Sequence, residues 1–244
     1  MKQRKMVLAA SAPVAEDFSP ERGTAMERAA FARSSVSRGP SASPDPIHQQ
    51  LDRWVHKQLG VTAHERRVAQ IAGAMFDLTR DLHELDARAK WMLTAGALVH
   101  DVGRGTDPED HARIGAETLL NDPTLPLSPS DRRSLAYLTL HHRGAVPECG
   151  QDNILRNGDD CNAMLKLLGL LRASDTLDSR AIEPPRLLLA RRGADLQICC
   201  YIREPSERAQ KAFCRPKKYR LLEQTLECTV EVRVQAGDTQ MLLA

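Results

Sequence analysis

Between about residues 47 and 183, hydrophobic residues recur every three to four positions, which is the spacing of an amphipathic helix. The pattern predicts helices over residues 61–78, 88–100, 108–121, 128–142 and 162–177. In the first of them the apolar stripe consists of Val68, Ile71, Met75 and Leu78. Thr62 is the expected N-cap of that helix, in a capping box with Glu65. This part of the chain is therefore expected to be a set of consecutive packed helices.

From about residue 186 onward the hydrophobic period changes to two, which is typical of half-buried strands. Strands are predicted over residues 187–190, 196–202, 226–234 and 239–243. A helical stretch from Ser206 to about Gln224, interrupted at Pro216, lies between the second and third of them. The sequence thus predicts a mainly α fold with a small C-terminal α+β extension built on an antiparallel sheet.

The pattern divides the chain into three parts. Residues 1–46 mix Ser, Ala, Pro, Arg and Glu without periodicity, so they cannot bury enough apolar surface to offset their chain entropy. We expect them to be a disordered tail, with a regulatory or docking role as the alternative. Residues 47–185 are expected to form the helical domain, and residues 186–244 the α+β extension.

Composition narrows the function classes. The formal net charge of +2 does not by itself argue for nucleic-acid binding. None of the six cysteines forms a CxxC pair, so reduced thiols are expected rather than a zinc knuckle or a disulfide framework. No run of about 18 apolar residues is present, so no membrane span is expected. A cytoplasmic location is the expectation.

Several histidines and aspartates fall on the inward faces or ends of the predicted helices. His64 lies four residues before Val68, and Asp175 lies four residues after Leu171. An unpaired buried carboxylate costs several kcal/mol, so Asp175 needs a partner. Single histidines are more often core residues than ligands, and for His48, His56 and His83 that interpretation or a surface position is kept. The candidate metal ligands are His64, His100, Asp101, His111, His141, His142 and Asp175.

The order His, His-Asp, His, His-His, Asp resembles the ligand pattern of HD-domain metalloproteins, which implies an HD-type helical bundle. The chain also resembles the C-terminal HD module of the exopolyphosphatase/guanosine-pentaphosphate phosphatase family, above all in the run Leu170–Arg180. In that family, the phosphatase chemistry is attributed to an N-terminal actin-like domain. The 244 residues of this sequence have no room for such a domain. The resemblance therefore does not imply that this chain acts on the substrates of that family.

The resemblance implies roles for individual residues. His64, His100, Asp101 and Asp175 would bind a first metal ion, and Asp101 would bridge to a second held by His111, His141 and His142. Mixed His/Asp ligation favours Mn, Fe, Co, Ni or Zn, as one or two ions. The expected catalytic residues are Asp101, as a metal ligand, and Arg104, whose guanidinium could contact a phosphate bidentately. Arg143 and Arg172 are weaker candidates for that contact, and for all three arginines the alternative is a surface or structural salt bridge. Asp178 and Arg180 are expected to form a polar pair at a helix end, with contact to a metal ligand as the alternative for either residue.

The leading functional hypothesis is a metal-dependent phosphohydrolase that acts on a phosphate ester or anhydride, such as a nucleotide or polyphosphate. The alternative is a non-catalytic module that binds a phosphorylated ligand or completes a separately encoded actin-like exopolyphosphatase in trans. A di-iron oxidase is a third hypothesis. The expected partner is a phosphate-containing small molecule, and an exposed edge strand could pair in a homodimer.

Overall fold

The computed structural model describes residues 45–156 and 158–237. Most of the predicted tail and the predicted strand over 239–243 therefore lie outside the described residues. Within these ranges the fold is mainly α with a small sheet near the C-terminus, as predicted. No helix in the described ranges is long and apolar enough to cross a membrane.

The helical part matches the periodicity of the sequence closely. Its helices are α1 (Pro46–Leu59), α2 (Ala63–Leu78), α3 (Arg80–His83), α4 (Ala87–Val99), α5 (His111–Asn121), α6 (Pro129–His141) and α7 (Cys161–Thr176), with a 3-10 turn at Val102–Gly105. Asp86, Ser128 and Asp160 cap α4, α6 and α7, each accepting from a backbone N–H three residues on. These caps supply sharp helix starts, so the residues at the helix ends take defined positions.

The start of α2 differs from the prediction. Thr62 occupies the N-cap position but makes no capping hydrogen bond with its side chain. Glu65 is fully buried and bonds to Arg180 instead of closing a capping box. A long-range ion pair has replaced the local one, because Glu65 faces the interior of the bundle.

The C-terminal part consists of β1 (Arg186–Arg192), β2 (Asp195–Ile202), α8 (Glu207–Phe213), α9 (Pro216–Leu226) and β3 (Thr229–Ala236). The strands pair in the order β1-β2-β3. β1 and β2 form the predicted antiparallel hairpin, but β3 runs parallel to β2. The prediction of an all-antiparallel sheet was wrong in this respect. The intervening helices form the long crossover that a parallel pair needs.

Helices and sheet share one hydrophobic core. Buried residues of α7, such as Leu168 and Leu171, belong to the same cluster as Ile198 of β2 and Leu222 of α9. Gly169 allows α9 to approach, because a Cβ there would lie 3.0 Å from the backbone of Leu222. The C-terminal part is thus packed directly on the helix that carries Asp175.

The cysteines correct one expectation. Cys149 and Cys161 form a disulfide, with their Cα atoms 5.7 Å apart, so the prediction of reduced thiols is wrong for this pair. The loop after α6 folds back and meets the first residue of α7, which the spacing in sequence did not indicate. The other four cysteines are free thiols.

Candidate metal centre

Six of the predicted ligands come together where helix ends of the bundle converge. His64 lies in the first turn of α2, the His100–Asp101 pair follows α4, and His111 begins α5. His142 follows α6 directly, and Asp175 lies in the last turn of α7. Two overlapping groups have ligand atoms within 4.8 Å of one another: His64, His100 and Asp101, and then Asp101, His111 and His142.

Each of the four imidazoles of this cluster is held by a hydrogen bond from its Nδ1 to an oxygen atom. His100, His111 and His142 each place Nδ1 against the backbone carbonyl three residues earlier, at 2.7, 2.7 and 2.6 Å. His64 places Nδ1 at 2.9 Å from Oδ2 of Asp178. Because a carbonyl or carboxylate oxygen can only accept, each Nδ1 must carry the proton and donate. In its neutral form each ring therefore presents an Nε2 lone pair to the cluster.

Those lone pairs have no protein donor among the described residues. Nε2 of His64 and of His100 are buried without a hydrogen-bond partner. Nε2 of His111 lies 3.2 Å from Nε2 of His142, although two acceptors cannot bond to each other. A divalent cation resolves both conflicts, since it accepts electron pairs from several imidazoles at once. The residues therefore fit a metal ion.

Asp101 lies at the centre of the cluster. Its Oδ1 is 3.0 Å from Nε2 of His111 and 3.6 Å from Nε2 of His142. Its Oδ2 is 4.0 Å from Nε2 of His64. Because the two oxygens face different histidines and Asp101 belongs to both groups, this carboxylate could bridge two ions.

Asp175 joins the cluster on the side of His64 and His100. Its Oδ1 lies 3.4 Å from Nε2 of His64 and 3.6 Å from Nε2 of His100. The side chain of Asp175 is 23% exposed, so it borders the solvent-accessible opening of the cluster. Asp175 is thus placed to complete the first predicted ligand set.

The electrostatics of the cluster favour ionised carboxylates. Burial raises the pKa of Asp101 and of Asp175, but the surrounding histidines outweigh it and hold both pKa values well below the ordinary range. Burial, together with His100, lowers the pKa of His142 to about 3. For His64 the carboxylates of Asp175 and Asp178 outweigh burial and raise its pKa to about 9. Ionised carboxylates beside the neutral imidazole of His142 form a ligand set suited to a cation.

A second layer of polar residues holds the ligands, and the sequence indicated it only in part. Asp178 accepts from His64 and forms an ion pair with Arg67, in which Nε lies 2.6 Å from Oδ1. Arg180 donates to Oδ2 of Asp101 at 2.8 Å and also to the buried Glu65. Asp178 and Arg180 thus do not pair with each other, and the alternative, contact with a metal ligand, holds for both: Asp178 with His64 and Arg180 with Asp101.

Two predicted site residues lie elsewhere. The ring of His141 packs edge-on against Tyr137 with centroids 4.8 Å apart, and neither ligand group includes it. Arg172 donates to the backbone carbonyls of His141 and Gly144, at 2.8 and 3.0 Å, so it anchors the loop after α6. A role for Arg172 in binding phosphate gains no support from this position.

The cluster opens into a cavity of about 230 Å³. Arg104 lines it, with Nε 3.6 Å from Oδ2 of Asp101, and so does Arg143. Arg215 and Lys218 of the C-terminal part also line it, and the sequence gave no reason to group these two residues with the site. The ligand cluster is therefore accessible to a small molecule through an opening rich in cationic side chains.

Comparison with known proteins gives partial matches. No protein-family model matches the chain. The chain is 31% identical over 132 residues to a bifunctional uridylyltransferase/uridylyl-removing enzyme of Gluconobacter oxydans, a match that covers 49% of the chain and 13% of that enzyme. It is 35% identical over 101 residues to the enzyme of the same name from Mycobacterium tuberculosis, which covers 38% of the chain and 12% of the enzyme.

The chain thus matches only about an eighth of the length of these relatives. The relatives support the resemblance to the HD superfamily, and the histidine–aspartate cluster agrees with it. They do not support the narrower link with the exopolyphosphatase/guanosine-pentaphosphate phosphatase family, which stays a prediction. The sequence and the site together favour an HD-type helical module that could hold a divalent metal ion.

Proposed function

We propose that this chain is a metal-dependent phosphohydrolase of the HD type, which cleaves a phosphate ester or anhydride. The observation that carries the proposal is the convergence of four Nε2 lone pairs and two carboxylates at the bottom of an open cavity. The word "uridylyl-removing" in the names of the relatives is consistent with hydrolysis at phosphorus.

The residues that would hold one or two divalent ions are His64, His100, Asp101, His111, His142 and Asp175. A divalent ion bound there would supply Lewis acidity, which activates water and offsets charge at phosphorus. In the reaction, water gives up a proton as its oxygen bonds to phosphorus, the bond between phosphorus and the leaving oxygen breaks, and the leaving oxygen takes up a proton.

The protein's own residues would orient the reactants. The backbone carbonyls of Ala97, Pro108 and Thr139 fix the imidazole tautomers, and Arg180 restrains the carboxylate of Asp101. Arg104 is 35% exposed and faces the cavity, so its guanidinium can contact a phosphate oxygen. Its pairing with Asp101 keeps it close to the ligands.

The proposal is tested by purifying the protein without chelator, counting metal per chain and assaying hydrolysis of nucleotides, polyphosphate and aryl phosphates. We expect His64→Ala and Asp101→Ala to lose most of the metal and the activity while keeping helical content by circular dichroism. His56→Ala is the matched control, because His56 is exposed on α1 and should retain both.

Wild-type metal content in Asp101→Ala would refute the ligand assignment. A metal-loaded protein that hydrolyses none of these compounds would refute the proposed reaction and favour a binding module. The proposal does not include the exopolyphosphatase link or a partner in trans, since the relatives support neither.

A further inference from the structure

One wall of the cavity comes from the C-terminal part of the chain. Ala212 of α8, Arg215 and Lys218 line the cavity that also contains Asp101 and Asp175. Lys218 lies in the first turn of α9, which packs on α7, the helix that carries Asp175. The packing of α9 on α7 thus places cationic side chains at the opening of the ligand cluster.

Lys218 is a partly buried lysine whose ammonium group lies near several other cations. It is only partly exposed, and no hydrogen bond or salt bridge to its ammonium group is found in residues 45–156 and 158–237. Burial lowers its pKa, and the guanidinium groups of Arg172, Arg215 and Arg143 lower it further against the attraction of Asp175. The cations around Lys218 therefore outnumber the carboxylates, and this arrangement costs free energy.

Two of these guanidinium groups also line the cavity without a carboxylate partner in the described part of the chain. Arg215 donates Nε to the carbonyl of Lys211 at 2.8 Å. Arg143 lies with Nη1 3.3 Å from Nδ1 of His111. Arg180 and Arg104, which also line the cavity, are paired with Asp101. The positive charge that remains unneutralised is thus concentrated on the wall formed by Arg143, Arg215 and Lys218.

We propose that Arg143, Arg215 and Lys218 form a binding subsite for a second phosphate group of the substrate, adjacent to the phosphate held at the ligand cluster. The proposal rests on the proposed function and narrows its substrate class to compounds with two or more linked phosphoryl groups. A phosphate brings three acceptor oxygens and negative charge to three cationic donors that line one cavity, which relieves their mutual repulsion. A single phosphate monoester would occupy only the ligand cluster.

The test is equilibrium binding of two probes that the protein cannot hydrolyse, methylphosphonate and methylenediphosphonate, measured by calorimetry on the metal-loaded protein. The diphosphonate should bind more tightly to the wild type. Lys218→Met should raise its dissociation constant about tenfold, as expected for one charge-assisted contact, with a smaller effect on methylphosphonate. Lys217→Gln is the matched control, because Lys217 lies on the same helix turn, is exposed and does not line the cavity.

Arg215→Gln provides an independent variant, since Arg215 is exposed and its loss should not disturb folding. It should weaken binding of the diphosphonate in the same direction as Lys218→Met. The subsite is refuted if the two variants weaken the binding of both probes by the same factor. It is also refuted if the variants weaken the binding of neither probe. Because binding is measured without turnover, a protein that hydrolyses monoesters but fails this test keeps the proposed function and loses the subsite.

Discussion

At the residue scale, one arginine connects the first turn of α2 with the ligand cluster. Arg180 donates to Asp101 at 2.8 Å and to Glu65, whose side chain is fully buried. The second carboxylate oxygen of Glu65 is buried without a partner in the described residues. Arg180 is thus the group that compensates the charge of Glu65 and also restrains a metal ligand. The side chain of Arg180 is therefore expected to contribute both to the stability of the fold and to metal binding.

Replacing Arg180 tests both roles. Arg180→Met should lower the free energy of unfolding by about 3–5 kcal/mol, because it leaves the charge of Glu65 buried and unpaired. Metal affinity should fall about 10–100-fold, as expected when a residue that orients a ligand is lost. Urea denaturation and metal titration measure the two effects.

The double variant Arg180→Met/Glu65→Leu separates these roles. It should recover most of the stability, because an apolar pair replaces the ion pair, but it should not recover the metal affinity. Recovery of both quantities would contradict a positioning role for Arg180.

His83, which the sequence left as an ordinary core or surface histidine, has a defined protonation state. Its Nδ1 accepts from the backbone N–H of Leu85 at 2.8 Å, and its Nε2 lies 2.8 Å from the carbonyl oxygen of Phe76. A nitrogen that accepts cannot be protonated, so the buried ring must be neutral with its proton on Nε2. Burial accordingly lowers the pKa of His83 from its ordinary value of 6.5.

This histidine should contribute to the pH dependence of stability. Above pH 6.5 the ring is neutral in both folded and unfolded states, so its two hydrogen bonds contribute fully. As the pH falls below that value, the unfolded state binds the proton first, and stability decreases. The free energy of unfolding of the wild type should therefore fall more between about pH 7 and pH 5 than that of His83→Gln. Equal slopes in the two proteins would contradict this assignment.

At the element scale, the approach of the 3-10 turn to α5 positions His111 beside Asp101. A Cβ on Gly103 would collide with the carbonyl oxygen of His111 and would lie 2.7 Å from the backbone nitrogen of Gly115. Backbone packs on backbone at this point, so glycine is required for the contact. The distance of 3.0 Å between His111 and Asp101 depends on it.

Gly103→Ala should therefore disturb both fold and site. We expect a loss of about 1–3 kcal/mol in the free energy of unfolding from overpacking, and reduced metal content because His111 is displaced. Gly73→Ala is the control, since a Cβ at this position in α2 would lie 3.5 Å from Cγ2 of Thr94 in α4, which is an ordinary van der Waals contact. That control should be neutral or stabilising by up to about 1 kcal/mol. A Gly103→Ala protein with wild-type stability and metal content would show that the approach is not needed.

At the scale of the whole molecule, the C-terminal part packs on α7 of the bundle. Phe213, Tyr219, Leu222 and Leu226 are buried in the shared core. At roughly 1.5–3 kcal/mol for each large apolar side chain, their burial is comparable to the whole stability of an ordinary domain. The helical part is therefore expected to depend on the C-terminal part for its stability.

Deleting residues 186–244 should lower the melting temperature sharply or prevent cooperative unfolding, as measured by circular dichroism and calorimetry. Deleting residues 1–44, for which the sequence predicts no buried face, is the matched control and should change the melting temperature little. A C-terminal truncation as stable as the full chain would show that the helical domain predicted over residues 47–185 is stable without the extension.

Periodicity alone determined the helical bundle, the hairpin and the inward positions of the candidate ligands. A spacing of 3.6 or 2 is set by the local backbone, so a linear chain displays it. His64, His100 and Asp175 could be assigned to apolar faces for this reason. Five helices, α2 and α4 to α7, lie close to the predicted ranges because their apolar stripes are also local features, whereas α1 and α3 were not predicted.

Only the tertiary structure decided which of these residues meet. His141 and His142 are adjacent at the end of α6, and the packing of α6 directs His142 to the cluster and His141 to Tyr137. The bond of Glu65 to Arg180 spans 115 positions, and Lys218 reaches the cavity because α9 packs on α7. The crossover that makes β3 parallel to β2 is likewise a matter of packing. Contacts between distant elements depend on how their faces fit together, and no local pattern in the chain encodes that fit.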